Sequence, residues 1–101
     1  DRTGQLQVGL EEIPERFSLQ RSVPNPVSEQ ATITFSVPEQ TRVRIDVFDV
    51  LGRRITTLTE GERKPGQHET RLDVRSLSSG TYFYRMSAGG FSITRRLNVV
   101  Q

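Results

Sequence analysis

Apolar and polar residues alternate in short segments along most of the chain, which is the pattern of β-strands with one buried face. Such segments predict strands at residues 17–19, 31–37, 42–49, 53–58, 68–74, 81–88 and 91–99. The apolar residues that share a face within these strands are Phe17, Leu19, Ile33, Phe35, Val37, Val43, Ile45, Val47, Leu72, Val74, Tyr82, Tyr84, Met86, Ala88, Phe91, Ile93, Leu97 and Val99. No segment has a helical period. The pattern therefore predicts an all-β fold, an antiparallel immunoglobulin-like β-sandwich of about seven strands, with a barrel of similar size as the alternative.

A predicted hairpin turn joins the strand at residues 42–49 to the strand at residues 53–58. Asp49 stands three residues before Gly52, the preferred placement for the first and last positions of a type I turn. Gly52 can then take the left-handed conformation that lets residues 53–58 return antiparallel. Phe48 is apolar, although alternation places it on the solvent-exposed face of the strand together with Arg44 and Asp46. We therefore expect a bulge or a second packed face near the end of that strand.

Later turns follow the same logic. Gly80 ends the turn "SLSSG", and either Tyr82 or Tyr84 is expected to bond its hydroxyl back to the backbone there, as in a tyrosine corner. The pair Gly89-Gly90 predicts a tight turn before the last strand.

Two polar stretches with glycine and proline are expected outside the strands. Residues 1–16 have no sustained period and are predicted to be a linker or disordered tail. Residues 59–67, "TEGERKPGQ", are predicted to form an exposed loop. Residues 17–101 are then one domain, long enough for one modest core. The start at Asp1 suggests a piece of a longer chain, and no apolar run is long enough to predict a membrane span.

The residue types speak against catalysis and against metal binding. The 101 residues include no Cys and one histidine, His68, which has no nucleophile motif beside it. Asp46 and Asp49 are expected on opposite faces of their strand, so they cannot flank one bond as a glycosidase pair does. We expect a module that is not an enzyme and that needs no cofactor or metal.

Charge and aromatic content leave two binding classes to consider. Fourteen basic and twelve acidic residues give a formal charge of +2 and are interspersed along the chain, so no nucleic-acid partner is expected. Phe48, Phe83 and Phe91 are candidates for exposed aromatic rings. They leave open a carbohydrate-binding or spacer β-sandwich of a modular glycoside hydrolase, with weak polysaccharide contact.

Four segments together resemble the C-terminal sorting domains of the type IX secretion system. "LQRSVPNPVSEQATITFSVP" resembles the family's opening, "VRIDVFDVLGRRITTL" its central hairpin, "GQHETRLDVRSLSSGTYFYRM" its tyrosine segment, and "ITRRLNVVQ" its terminal strand. They occur in the family's order over residues 19–101. Val27 stands where the family more often has Phe.

The resemblance implies a C-terminal module of a longer secreted protein, often a hydrolase, in a Bacteroidetes-like bacterium. Such a module directs export through the type IX system and attachment to the cell surface, on the external face of the outer membrane. The partners would be the outer-membrane secretion and attachment machinery. The residues that match the motifs are the candidates for partner recognition or for shaping the module: Pro24, Asn25, Pro26, Asp49, Gly52, Gly80, Tyr82, Arg95, Arg96, Leu97, Val99 and Val100.

Overall fold

The computed structural model describes residues 14–101, and every regular element in this part of the chain is a β-strand. The strands are β1 (Ser18–Leu19), β2 (Gln30–Val37), β3 (Thr41–Phe48), β4 (Arg54–Arg63), β5 (Gly66–Asp73), β6 (Gly80–Ala88) and β7 (Phe91–Val99). They form two antiparallel sheets, β1-β2-β5 and β4-β3-β6-β7, rather than one closed barrel. This arrangement confirms the predicted all-β, immunoglobulin-like sandwich.

The core lies between the two sheets and uses alternate positions of the predicted strands, together with Val27, which lies in none of them. Phe17 and Ile93 are only partly buried against the core, and Phe91 is half-buried outside it. Its fully or almost fully buried hydrophobic members are Leu19, Val27, Ala31, Ile33, Phe35, Val37, Val43, Ile45, Val47, Leu72, Val74, Tyr82, Tyr84, Met86, Ala88, Leu97 and Val99. Each side chain of leucine or valine size that is buried in this way contributes about 1.5–3 kcal/mol. One contiguous cluster therefore holds both sheets together.

The predicted hairpin after β3 is present and is organised by Asp49. The Gly52 N–H donates to the Asp49 carbonyl at 3.0 Å, and Gly52 has φ +81°. One carboxylate oxygen of Asp49 accepts from the Leu51 and Arg53 N–H groups at 2.9 and 3.0 Å. The Arg53 guanidinium adds an ion pair at 2.8 Å. Led by the Arg53 N–H, these contacts lower the pKa of Asp49.

Strand β4 is longer than predicted, and the loop expected at 59–67 is wrong for most of its length. β4 continues to Arg63, and only Lys64 and Pro65 separate it from β5. Gly61 pairs with Val43 inside the ladder. The charges of this stretch, which suggested a loop, suit the edge of a sheet, where solvent reaches both the outer face and the free side.

The irregularity predicted near the end of β3 is also present, but the extra residue belongs to the neighbouring strand. The register between β3 and β4 shifts between Val47 and Phe48, where Ile55 is the additional residue of β4. Phe48 lies on the outer face, half-buried, with the Arg85 guanidinium 4.7 Å above its ring.

Asp46 lies on the outer face as predicted but is not a wet residue, because it is only 6 % exposed. Thr57 Oγ1 donates to it at 2.6 Å, and Arg44 Nε lies 2.9 Å from its second oxygen. Burial by itself would raise the pKa of Asp46, but these hydrogen bonds outweigh burial and lower the pKa.

The structure describes only the last three residues of the predicted tail, Pro14–Arg16, and the start of the domain. Residues 1–13 lie outside the described residues, and Pro14–Arg16 belong to no strand. Phe17, just before β1, stacks on Phe91 with ring centroids 5.2 Å apart. Within residues 14–101 no helix is long and apolar enough to cross a membrane.

Candidate functional site

The chain passes from one sheet to the other at residues 23–27, which we call the crossover segment. At its start, Val23 still belongs to the first sheet and exchanges backbone hydrogen bonds of 2.9 and 2.8 Å with Thr32 of β2. Pro24 and Pro26 then follow, and neither has an N–H to offer to a ladder. Proline therefore suits the part of the chain that lies between the two sheets.

The crossover segment ends by pairing with the last strand. The Val27 N–H donates to the Asn98 carbonyl at 2.9 Å, and the Val27 carbonyl accepts from the Val100 N–H at 3.0 Å. The bridge is parallel, with Val27 opposite Val99. The Val27 side chain is 2 % exposed and joins the core. Val27 is therefore a core residue that lies outside the regular strands.

Asn25 extends this pairing by one step with its side chain. Its Nδ2 donates to the Arg96 carbonyl at 3.3 Å, and its Oδ1 accepts from the Asn98 N–H at 3.0 Å. A parallel strand makes the same two bonds with its backbone, so the carboxamide takes the place of a peptide group. Asn supplies one donor and one acceptor on a short arm; Asp lacks the donor, and Gln is one methylene longer.

The two segments of the sequence that match the ends of the family pattern therefore form one surface. In β7, Leu97 and Val99 point inward and are buried, whereas Arg96 and the residue that follows the strand, Val100, are exposed. The backbone edge between Arg96 and Val100 is covered by the crossover segment. This arrangement protects a terminal strand that would otherwise present unpaired N–H and carbonyl groups.

Of the two adjacent arginines among the predicted site residues, Arg95 and Arg96, Arg95 is the one that does not lie on a solvated strand face. It occupies an inward position of β7 and is half-buried. Its Nε donates to the Leu19 carbonyl of β1 at 2.7 Å. Since β1 and β7 are edge strands of different sheets, Arg95 ties the two sheets together across the open side of the sandwich.

The turn at residues 76–80, which precedes Tyr82, lies next to the end of β7. Tyr82 Oη donates to the Ser78 carbonyl at 2.8 Å, as expected of a tyrosine corner, and Tyr82 pairs with Leu97. Gly80, with φ +154°, pairs with Val99. The turn and the terminal strand are thus neighbours through their ladder.

Gln101 fastens this turn to the end of the chain, a role that no pattern in the sequence predicted. Its N–H donates to Ser79 Oγ at 2.8 Å. Its Nε2 donates to the Val74 and Leu77 carbonyls at 2.6 and 3.0 Å. A terminal glutamine carries no local signal, because its partners lie more than twenty positions away.

Asp49 and Gly52 stand apart from this surface. Phe48 pairs with Phe83, and Phe83 pairs with Arg96, so the hairpin begins at the same end of the sheet but two strands away. The structure assigns these two residues a role in shaping the hairpin.

A polar groove of about 330 Å³ adjoins the crossover segment. It is lined by Arg21, Asn25, Thr94, Arg95, Arg96 and Asn98. Three of these residues are arginines and none is acidic. Arg21 was not among the predicted site residues; its only signal in the sequence was its place three residues before Pro24.

The aromatic residues do not form an open platform for a sugar. Phe48, Phe83 and Phe91 are each half-buried. Arg85 covers the ring of Phe48, and Phe17 stacks on Phe91. Among residues 14–101 there is also no group of three His, Cys, Asp or Glu that could hold a metal ion.

These features define an immunoglobulin-like β-sandwich whose crossover segment and last strand make one continuous surface. Residues 23–100, from the start of the crossover segment to Val100, match the family described as Secretion system C-terminal sorting domain, and the chain belongs to that family. No curated protein matches the chain significantly.

Among solved structures, the fold is similar to that in the crystal structure of dimeric latent PorU from Porphyromonas gingivalis. The TM-score is 0.66 and the sequence identity 19 % over 86 % of this chain. The match covers 10 % of the PorU chain, so the likeness concerns the fold of a small part of that protein.

Membership of the family confirms the predicted function. The chain is a C-terminal sorting signal for type IX secretion, and such a domain is not itself a catalyst. It is part of a larger protein that is secreted or held at the cell surface, and it is recognised by the secretion machinery. Nothing in residues 14–101 favours the alternative of a carbohydrate-binding module.

Proposed function

We propose that the secretion machinery recognises the surface formed jointly by the crossover segment and the outward side of β7. The observation that carries this proposal is the double hydrogen bond of Asn25 with Arg96 and Asn98, which joins segments 71 and 73 positions apart. The two segments therefore present a single surface to a partner. Pro24, Pro26, Arg96 and Val100 present exposed side chains there.

The other predicted residues serve this surface indirectly. Leu97 and Val99 anchor β7 in the core, and Arg95 holds it against β1. Gly80 and Tyr82 shape the adjoining turn. Residues 17–101 are the sorting unit in this proposal, supported by the contiguous core from Leu19 to Val99.

After export, the domain serves attachment at the external face of the outer membrane, in keeping with the resemblance of its motifs. Any catalytic activity of the complete protein, such as that of a hydrolase, then resides outside residues 17–101.

Export of a reporter fused to the chain, in a bacterium with a type IX system, tests the recognition surface. Deleting residues 95–101 is a poor test, because it removes Leu97 and Val99 from the core and is expected to unfold the domain. The double variant Arg96→Glu, Val100→Asp changes only exposed side chains of the surface. We expect its reporter to accumulate in the periplasm.

The matched control is Arg71→Glu, Val50→Asp, which makes the same changes at exposed positions of β5 and the β3–β4 turn. Its reporter is expected outside the cell, and both variants should show wild-type thermal unfolding. Normal export of the Arg96, Val100 variant would contradict the proposed surface. A reporter released wholly to the medium, with none bound to cells, would contradict the attachment role.

A further inference from the structure

No described segment pairs with the backbone edge of β7 at Thr94, which lies N-terminal to the part of β7 that the crossover segment covers. In the four-stranded sheet β7 has one strand neighbour, β6, within the described part of the chain. The bonds made by the Arg96 carbonyl and the Asn98 N–H show that even-numbered residues of β7 direct their backbone groups away from β6. The N–H and carbonyl of Thr94 therefore face outward, at a position where no described segment pairs with β7.

The polar groove lies directly over this open part of the edge. Thr94 and Asn25 both line it, so it contains the open edge and adjoins the Asn25 carboxamide, which occupies the next pairing position. Arg21 borders the groove from the chain that follows β1, and Arg96 borders it from β7. Both arginines are exposed, and no acidic side chain is among the lining residues.

We propose that this part of β7 binds a short, extended, acidic segment of a partner protein, which adds a strand at Thr94 and places carboxylates against Arg21 and Arg96. An added strand gains affinity from main-chain hydrogen bonds and specificity from alternate side chains. Arginine binds carboxylates in a two-pronged geometry, which fixes the register of the added strand. This inference names the chemistry of the partner and rests on the proposed function for that partner's place in secretion.

Charge argues against a second copy of the chain as the occupant. Two copies paired through this edge would bring Arg21 and Arg96 of one against the same residues of the other, and like charges in an interface are unfavourable. An acidic segment instead neutralises the arginines that line the groove.

Titration of the 101-residue chain with a capped six-residue peptide of alternating valine and glutamate tests the inference. Binding should shift the backbone amide NMR signals of Thr94 and Arg96 and should weaken with added salt. A peptide with lysine in place of glutamate should bind at least about tenfold more weakly, the ratio that corresponds to 1.4 kcal/mol.

Two pairs of variants separate charge from backbone pairing. Arg21→Gln should weaken binding of the acidic peptide several-fold, and Arg71→Gln on β5 should leave it unchanged. Thr94→Pro removes an N–H on the free side of an edge strand, where proline is tolerated, and should abolish binding. Thr94→Val keeps the N–H and should retain it. If Thr94→Pro fails to fold, the Arg21 and Arg71 pair still decides the matter.

The results that overturn the inference are distinct from those that overturn the proposed function. Equal binding of both peptides, amide shifts remote from Thr94, or a dimer of the chain that forms through this edge would each overturn it. Blocked export of the Arg96, Val100 variant together with no peptide binding leaves the recognition surface intact and removes this inference. Peptide binding together with normal export of that variant supports this inference and contradicts the proposed recognition surface.

Discussion

Asn25 accepts a hydrogen bond of 3.0 Å from the backbone of Asn98, which lies 73 positions further along the chain. A side-chain amide thereby acts as one peptide group of a parallel strand and covers the edge of β7. The bond connects the Pro-Asn-Pro motif with the terminal strand, and it lies at the centre of the surface proposed for recognition.

Replacing Asn25 should loosen the crossover segment without unfolding the domain. Asn25→Ala removes two hydrogen bonds and should cost about 1–2 kcal/mol of unfolding free energy, whereas Asn25→Asp keeps the acceptor and should cost less. Hydrogen exchange should accelerate at the Asn98 amide and not at Val100, whose bond to the Val27 carbonyl persists. Ser28→Ala is the control, and unchanged exchange at Asn98 would show that the side-chain pairing is unimportant.

Arg95 should contribute to stability although it is an arginine in a terminal strand. Arg95→Met keeps the aliphatic stem inside the sandwich but loses the 2.7 Å bond to Leu19, and should cost about 1–2 kcal/mol in urea unfolding. Arg96→Met, next to it on the exposed face, should change stability by less than about 0.5 kcal/mol. Equal effects of the two substitutions would contradict the assignment of Arg95 as the tie between the sheets.

The two buried tyrosines should each lose stability when the hydroxyl is removed. Tyr84 Oη donates to the Gln20 carbonyl at 2.8 Å, and Tyr82 Oη to the Ser78 carbonyl at 2.8 Å. Burial also raises the pKa of Tyr84. Replacement by Phe leaves a carbonyl without its partner and should cost about 1 kcal/mol at each site in chemical denaturation. If Tyr82→Phe left the free energy of unfolding unchanged, the tyrosine corner would not stabilise the turn.

Two glycines with positive φ should differ in their tolerance of alanine. A Cβ at Gly52 meets no atom within 4 Å, so Gly52→Ala carries only the backbone cost, about 1 kcal/mol. A Cβ at Gly89 would lie 3.2 Å from the Phe17 ring, so Gly89→Ala should lower the melting temperature further. Combining Gly89→Ala with Phe17→Leu should recover the difference. If it does not, the contact with the ring is not its cause.

Stability should fall in acid because the carboxylates of Asp49 and Asp73 accept hydrogen bonds in the folded state. The Arg75 side chain, with a backbone bond from the same residue, lowers the pKa of Asp73 to about 2, and the pKa of Asp49 is lowered as well. A depressed folded-state pKa contributes stability above the unfolded value, about 3.9, which is lost as pH falls through the folded value. Urea unfolding between about pH 5 and pH 2 should show this loss, with a smaller slope for Asp73→Asn. An identical slope in that variant would exclude Asp73 as a source.

Local pattern was sufficient to predict most of the fold. Alternation identified the buried faces of β2, β3, β5, β6 and β7, and Asp49 with Gly52 predicted the hairpin correctly, because both signals act over a few residues. The same approach was wrong at residues 59–67. Their charges suit an exposed loop and the edge of a sheet equally, and only the pairing of β4 with β3 distinguishes the two.

The sequence by itself determined most of the strand residues, most of the buried faces and the family to which the motifs belong, since periodicity and turn chemistry depend on neighbouring positions. Only the tertiary structure decided that Asn25 and Val27 pair with β7 and that Arg95 points inward to β1. The physical reason is that the parallel bridge between the crossover segment and β7 depends on how the two sheets pack against each other. Its bonds join residues more than seventy positions apart, and no local pattern encodes them.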